Sequence, residues 1–328
     1  MGARRRLRAA WADRPTPVFP RKTWALILAL DRLPWPWGEN IMACCFVAKA
    51  FVRIERLRQA LAWASAQQRR GRRRWALAIS LCFHHGRFVA RSMVTGIQDL
   101  VTLRQLVRLR GQEHLAAAAG RGRIFLGFHL GPTSPDIALR LAGHRVTWIG
   151  AWPSWAQKRN ALPPEIQELY ASSGEHDALE TRPSNRGQAR VRALYRARQL
   201  LTRGRDIFIT ADGAGQAAFE LSLPGGPAKV CAGWLLLRQT TGASVLPVLS
   251  HMEGHTQVVT IHPALPSPVA DPGDDLKVCR EALGRLLTDH VRRFPEQCYF
   301  LAFAERRRAP RHRETDPRLI HGSPISPA

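Results

Sequence analysis

Residues 123–145, RIFLGFHLGPTSPDIALRLAGHR, indicate the fold of this chain. An apolar run over residues 124–128 predicts a buried strand that leads directly to His129. A Gly-Pro turn follows, and an amphipathic segment from Pro135 to about Gly143 predicts a helix. The stretch therefore predicts a strand, a histidine in a turn, and a helix.

The same alternation continues along the chain. Further strands are predicted at residues 145–149, 206–211, 219–223, 245–249, 257–261 and 298–303. Helices are predicted at residues 41–63, 87–110, 113–119, 189–203, 229–241 and 275–294. This order predicts an α/β fold in which helices flank a mostly parallel central sheet, with functional residues at the carboxyl ends of strands.

Amino-acid composition divides the chain into two terminal tails, a helical region and an α/β domain. Residues 1–22 are rich in Arg and Pro and are predicted to be a disordered basic tail, as are residues 306–328 at the other end. We expect residues 23–110 to form a helical, membrane-associating region and residues 111–305 to form the α/β domain.

A net charge of +24 makes the protein attractive to phosphate-bearing partners. Between residues 41 and 98 a single acid, Glu55, stands among eleven Lys and Arg. The helical pattern over residues 41–63 puts apolar side chains on one face and basic ones on the other, which predicts an N-terminal basic amphipathic helical region on an anionic membrane surface. A solvated face without a partner is the alternative interpretation.

Three features that the sequence lacks limit the possible partners, the mode of membrane attachment and the compartment. The basic runs carry no recognition motif or interleaved aromatic residues, so no nucleic acid is expected to bind. No apolar run reaches the roughly 20 residues that span a bilayer, which favours peripheral or monotopic attachment. The six cysteines have no metal-ligand spacing, and we interpret them as buried thiols in a reducing compartment, with no metal site.

His129 and Asp212 each lie just past the end of a predicted strand, where they could face one site. The acid nearest to His129 in sequence is Asp136, whose carboxylate could hold the imidazole in the tautomer that makes its other nitrogen a base. Helix capping is the other interpretation, because Thr133 and Asp136 fit a capping box.

Four blocks resemble the bacterial lipid A biosynthesis acyltransferases, the lauroyl/myristoyl transferases of the lysophospholipid acyltransferase superfamily. They are RLRGQEHLAAAAGRGRIFLGFHLG (108–131), GRDIFITADG (204–213), LPGGPAKVCAGWLLLRQTTGASVLPVL (223–249) and FPEQCYFLAF (294–303). The resemblance covers about residues 41–308. It implies an enzyme of lipopolysaccharide and lipid metabolism that moves a fatty acyl chain from acyl carrier protein or coenzyme A to a hydroxyl of a lipid or glycolipid. It also implies the cytoplasmic face of the bacterial inner membrane and no bound cofactor.

In that family a His, followed after four residues by Asp or Glu, removes the proton of the acceptor hydroxyl. His129 matches the His, whereas the position of the acid holds Ser134. Three interpretations are open: Asp136 supplies the carboxylate, Ser134 orients the imidazole, or catalysis is lost and a lipid-binding relative remains. We take His129 and Asp136 as the catalytic pair.

The resemblance also implies residues that bind substrate. Asp212 and Gly213 are similar to a later Asp-Gly at a strand end, and Ser134 belongs to the same candidate site. Gly225, Gly226 and Lys229 are similar to a glycine turn and the start of the next helix, where backbone amides approach an acyl carbonyl or a phosphate. A solvated role for Lys229 is the alternative.

Overall fold

The computed structural model describes residue 33 and residues 36–94, 100–117, 122–132, 135–150, 168–169, 178–180, 186–212 and 218–303. The two predicted tails, 1–22 and 306–328, lie outside the described residues.

A mostly parallel sheet forms the centre of the molecule. The described strands are β1 (Val107–Arg110), β2 (Ile124–Gly127), β3 (Val146–Gly150), β4 (Ala178–Glu180), β5 (Asp206–Thr210), β6 (Ala218–Leu223), β7 (Gly226–Cys231), β8 (Val245–Glu253) and β9 (Thr256–Ile261). Seven of them pair in the order β1-β9-β8-β2-β5-β3-β4, while β6 and β7 form a separate antiparallel hairpin. Within the large sheet only β8 and β9 pair antiparallel. The predicted α/β fold with a mostly parallel sheet is thereby confirmed.

Helices cover this sheet. They are α1 (Trp37–Val52), α2 (Ile54–Ala66), α3 (Gly71–Val94), α4 (Leu100–Leu106), α5 (Glu113–Ala117), α6 (Asp136–Leu141), α7 (Arg186–Thr202), α8 (Gly233–Thr241), α9 (Pro272–Arg293) and α10 (Tyr299–Phe303), with a 3₁₀ turn at Pro295–Gln297. None of the described helices is both long enough and apolar enough to cross a membrane.

The central strand β2 is buried along its whole length, with pairing partners on both sides. A strand in the middle of a parallel sheet needs an apolar side chain at every position, which is why the run IFLG does not alternate with polar residues. At the start of β2 the backbone N–H and the guanidinium of Arg123 both donate to the carboxylate of Asp206, the first residue of β5.

Three predicted elements are wrong. Residues 107–110 form strand β1 rather than the end of a helix, because VRLR alternates between half-buried and exposed positions and pairs with β9. Residues 226–231 form β7, so the following helix starts at Gly233 and not at residue 229. Residues 299–303 form helix α10 instead of a strand, and Cys298 links that helix to the 3₁₀ turn, since a short apolar run suits either a helix or a strand.

The helix predicted at residues 41–63 is two helices, because the chain leaves helical geometry at Arg53. Of the apolar face predicted there, Val47 and Leu61 pack against the core. Phe51 and Ile54 lie on either side of the break and are 51% and 53% exposed. The two residues next to the break are therefore exposed, while the two residues further from it pack against the core.

All six cysteines are free. The prediction of buried thiols is confirmed for Cys82, Cys279 and Cys298, and Cys231 is half-buried. It is wrong for Cys44 and Cys45, which lie on the exposed side of α1.

A buried carboxylate ties α1 to α3. Glu39 is 1% exposed and accepts from Arg87 Nε at 2.8 Å and from Arg91 Nη2 at 2.9 Å. The same two guanidinium groups donate to the carbonyl oxygens of Gly254 and His255 in the β8–β9 turn, each at 2.7 Å. The helices are thus bonded to the sheet as well as packed on it.

The apolar core contains residues from both sides of the predicted domain boundary at 110/111. One continuous cluster joins Trp63 of α2 and Leu81 of α3 to Leu126 of β2 and Leu287 of α9. The division into a helical region and an α/β domain stays a prediction, and the two parts share this core.

We predict that Glu39→Gln lowers the free energy of unfolding by about 3 kcal/mol, because it leaves two buried guanidinium groups without their counter-charge. Chemical denaturation followed by circular dichroism measures the change. Glu55→Gln, the same substitution at an exposed residue of the next helix, is the control and should change stability by less than about 0.5 kcal/mol. Equal losses in the two variants would contradict the assigned role of Glu39.

Candidate functional site

His129 and Asp212 occupy equivalent positions on neighbouring strands. The register of β2 and β5 pairs Gly127 with Thr210, and each site residue lies two positions further along its strand. Because the strands are parallel, both chains leave the sheet at its carboxyl edge, where they bring the two side chains together.

A single carboxylate holds both the backbone and the ring of His129. Asp212 Oδ2 accepts from the backbone N–H of His129 at 2.6 Å, and Oδ1 lies 2.8 Å from Nδ1 of the ring. A carboxylate only accepts hydrogen bonds, so Nδ1 carries the proton and Nε2 is the nitrogen with a free lone pair. The side chain of Asp212 is 8% exposed and that of His129 is 35% exposed. The base nitrogen thus belongs to a ring that solvent and ligands can reach.

The pKa of His129 is raised above its ordinary value of 6.5. Burial of the ring lowers this pKa, but the negative charge of Asp212 and the hydrogen bond to it more than offset burial. The protonated ring is therefore stabilised in the folded protein. Its contribution to stability is complete below about pH 6.5 and is lost as the pH rises through the folded-state pKa.

The turn after His129 is held by two other parts of the chain. The backbone N–H of Gly131 donates to the carbonyl of Gln297 at 3.2 Å, and the hydroxyl of Ser250 donates to the carbonyl of Pro132 at 2.6 Å. Gly131 has a φ of +92°, and a Cβ there would overlap the carbonyl oxygen of Ser250. Glycine is required at this position for both reasons.

Gln297 is itself fixed to β8. Its side-chain oxygen accepts from the backbone N–H of Met252 at 2.7 Å, and its side-chain nitrogen donates to the Met252 carbonyl at 3.2 Å. The 3₁₀ turn therefore joins the His129 turn to the end of a central strand.

Aromatic residues of α10 complete the surroundings of the His129 ring. Phe300 stacks on the imidazole with ring centroids 4.8 Å apart and an interplanar angle of 25°. Tyr299 is stacked on His85 of α3 at 4.7 Å, and burial together with the charge of Asp212 raises the pKa of its hydroxyl. Phe300 is 37% exposed and thus forms part of the site's open surface.

Asp136 does not contact His129 among the described interactions. It is the first residue of α6, is 7% exposed, and pairs with Arg140 one turn further on, with 3.5 Å between Oδ2 and Nε. Burial raises the pKa of its carboxyl, and Arg140 lowers it in part. Pro135 is the N-cap residue of α6, and Thr133, the other residue of the predicted capping box, lies outside the described residues. The prediction that Asp136 orients His129 is therefore corrected: Asp212 is the carboxylate bound to the ring.

The other predicted site residues that the structure describes lie in the β6–β7 hairpin. Ser134 and Gly213 lie outside the described residues. Gly225 lies in the turn of the β6–β7 hairpin and Gly226 is the first residue of β7; a Cβ on Gly225, whose φ is +103°, would overlap the ring of Trp63. Lys229 is exposed on β7 and faces Glu220 across the hairpin, which fits the solvated alternative.

The end of that hairpin does approach the site. The backbone N–H of Cys231 donates to the carbonyl of Ala211, the residue before Asp212, at 2.6 Å. In the part of the chain that the structure describes, no group of three or more His, Cys, Asp or Glu side chains could hold a metal ion.

Sequence reasoning identified the positions of His129 and Asp212 but not their contact. Each residue lies two positions beyond the end of its strand, and this equal spacing predicts the contact once β2 and β5 are known to be neighbours. Phe300, Ser250 and Gln297 carried no such signal, because nothing local in the sequence links them to the His129 turn.

No protein-family model matches this chain, and none of the curated proteins matches it. The resemblance to lipid A acyltransferases accordingly stays a prediction based on the four sequence blocks.

We predict that Asp212→Asn lowers the pKa of His129, because burial remains while the negative charge is removed. A pH titration of the His129 ring signals by NMR measures this. Asp136→Asn is the matched control, and it should leave the His129 pKa unchanged because its partner is Arg140. A larger change in Asp136→Asn than in Asp212→Asn would show that the pairing is wrong.

Proposed function

We propose that this protein is a membrane-associated acyltransferase that moves a fatty acyl chain to a hydroxyl of a lipid or glycolipid acceptor. The observation that carries the proposal is the 2.8 Å contact between His129 Nδ1 and Asp212 Oδ1 at the carboxyl edge of a parallel sheet. This pair leaves Nε2 as a general base on an accessible ring. The four sequence blocks that resemble lipid A acyltransferases support the choice of reaction.

In the proposed reaction Nε2 of His129 removes the proton of the acceptor hydroxyl as its oxygen attacks the thioester carbonyl of the donor. The new C–O bond forms, the C–S bond breaks, and the proton passes from the imidazole to the departing sulfur. The products are an ester and a free thiol, so no oxidant, reductant or bound cofactor is needed. The donor is an acyl thioester of acyl carrier protein or coenzyme A.

Asp212 acts as the positioning residue in this proposal. Its carboxylate fixes the ring and stabilises the imidazolium that forms when Nε2 takes the proton. It replaces the acid that the family motif has at the position of Ser134, so the absence of an acid there does not require loss of activity.

The proposed membrane attachment is supported by the surface at the α1–α2 junction. Phe51, Val52 and Ile54 are 51%, 86% and 53% exposed, and Trp37 at the start of α1 is 64% exposed. Basic side chains accompany these apolar groups, namely Lys49, Arg53, Arg56 and Arg58. Apolar side chains that enter the head-group boundary beside cations are what an anionic bilayer binds. We propose peripheral or monotopic attachment to the cytoplasmic face of the bacterial inner membrane, with a lipid A-like acceptor.

We predict that His129→Ala abolishes acyl transfer and that Asp212→Asn lowers kcat by about 10²- to 10⁴-fold, the usual contribution of an oriented general base. Wild-type activity should rise with pH through the raised pKa of His129, because only the neutral imidazole accepts a proton, and this limb should move to lower pH in Asp212→Asn. Transfer is measured with acyl-carrier and coenzyme A thioesters and lipid acceptors.

His114→Ala, at a histidine of α5 outside the site, is the control and should keep full activity. Undiminished turnover in folded His129→Ala would refute the mechanism. Vesicle binding without turnover by the wild-type protein, with every donor, would favour the alternative function, a lipid-binding relative without catalysis.

We predict that Val52→Glu weakens binding to anionic vesicles by roughly tenfold, because an apolar side chain that would enter the bilayer is replaced by a carboxylate that the anionic lipids repel. Co-sedimentation with vesicles measures the change. Val191→Glu introduces the same substitution at a valine of α7 that is 67% exposed, and it serves as the control. Equal weakening by both substitutions would place the membrane contact elsewhere.

A further inference from the structure

An open cleft of about 650 Å³ lies at the turn between α2 and α3. Its lining consists of Ser65, Gln68, Arg69, Arg70, Gly71 and Arg74. None of these six residues is acidic, and three of them carry a guanidinium group. The cleft is separate in function from the proposed acyl transfer, which uses none of its residues.

The turn that shapes the cleft is anchored. Gln67 Nε2 donates to the carbonyl of Pro224 in the β6–β7 hairpin at 2.9 Å. The backbone N–H of Arg69 donates to the carbonyl of Ala64 at 3.1 Å, which wraps the end of α2. The arginines therefore project from a turn fixed to the body of the protein.

None of the described residues neutralises the positive charge of the three arginines in the cleft. No carboxylate of the described chain pairs with Arg69, Arg70 or Arg74. Arg74 uses Nε to donate to the carbonyl of Leu61 at 3.3 Å, and this contact holds its guanidinium at the cleft. Three like charges in one concave site repel one another, and a bound anion removes that repulsion.

We propose that the α2–α3 cleft binds a phosphate monoester. A guanidinium group presents paired N–H donors that fit phosphate oxygens, and a phosphate monoester carries close to two negative charges near neutral pH. Three guanidinium groups around one concave site carry enough positive charge to neutralise the phosphate and have N–H donors for its oxygens. The phosphate belongs either to a soluble molecule or to a lipid head group, and the two sources are separated by experiment.

The test compares two double variants with the same loss of charge. Arg69→Gln with Arg70→Gln removes two guanidinium groups that line the cleft. Arg72→Gln with Arg73→Gln removes two guanidinium groups in the first turn of α3 that do not line the cleft. Arg74 is left intact because its bond to Leu61 O holds the turn.

Binding of inorganic phosphate to the full-length protein is measured by calorimetry at low ionic strength. We expect the first double variant to weaken binding at least roughly tenfold and the second to weaken it less than about twofold. Phosphate should also raise the melting temperature of the wild type and of the second variant, but not of the first. This readout checks that each variant is folded.

A second arm uses vesicles that contain phosphatidic acid, whose head group is a phosphate monoester, against vesicles of equal surface charge that contain phosphatidylglycerol. If the wild type and the second double variant prefer phosphatidic acid and the first double variant does not, the phosphate belongs to a lipid. Binding of inorganic phosphate without that preference assigns it to a soluble ligand. Equal losses in both double variants, or no saturable binding of either probe, would overturn the proposal.

The proposal is independent of the acyltransferase reaction. His129→Ala protein should bind phosphate as the wild type does, because no contact of His129 contributes to the cleft. Failure of acyl transfer with intact phosphate binding therefore contradicts only the proposed function.

Discussion

Two carboxylates at opposite ends of β5 set the position of β2, and the candidate site depends on this pairing. Asp206 binds the backbone N–H and side chain of Arg123, and Asp212 does the same for His129 six residues later. Both pairs lie in register across the parallel strands. A shift of one residue would turn the apolar side chains of β2 out of the core, so the register that orders the core also aligns the imidazole with its acid.

The His129 turn is also supported by residues of the 3₁₀ turn and of α10. Gln297 connects the turn to β8, and Phe300 covers one face of the ring. The indole N–H of Trp63 on α2 donates to the carbonyl of Pro295 at 2.9 Å, which adds the helical layer to this support. The site is therefore formed by segments that are far apart in the sequence, while the pairing of the imidazole with its acid depends on the single contact between His129 Nδ1 and Asp212 Oδ1.

The sequence predicted the alternation of strands and helices, the buried strand β2 and the location of His129, because these follow from local periodicity. It did not predict which acid binds the ring. Asp136 is close in sequence, but α6 directs it to Arg140, whereas Asp212 is brought in by strand order. Strand order depends on long-range packing, and short apolar runs such as residues 298–303 suit either a helix or a strand until that packing is known.

The bonds from Arg87 and Arg91 to the β8–β9 turn limit which parts of this protein can change independently during evolution. Their guanidinium groups donate to two carbonyls of the β8–β9 turn, and both pair with the Glu39 carboxylate of α1. The edge strand β1 also comes from the segment between the helical layer and β2. The helices are consequently not an exchangeable module, and replacing them would open the apolar core that they share with the sheet. Helical layer and sheet must be inherited together.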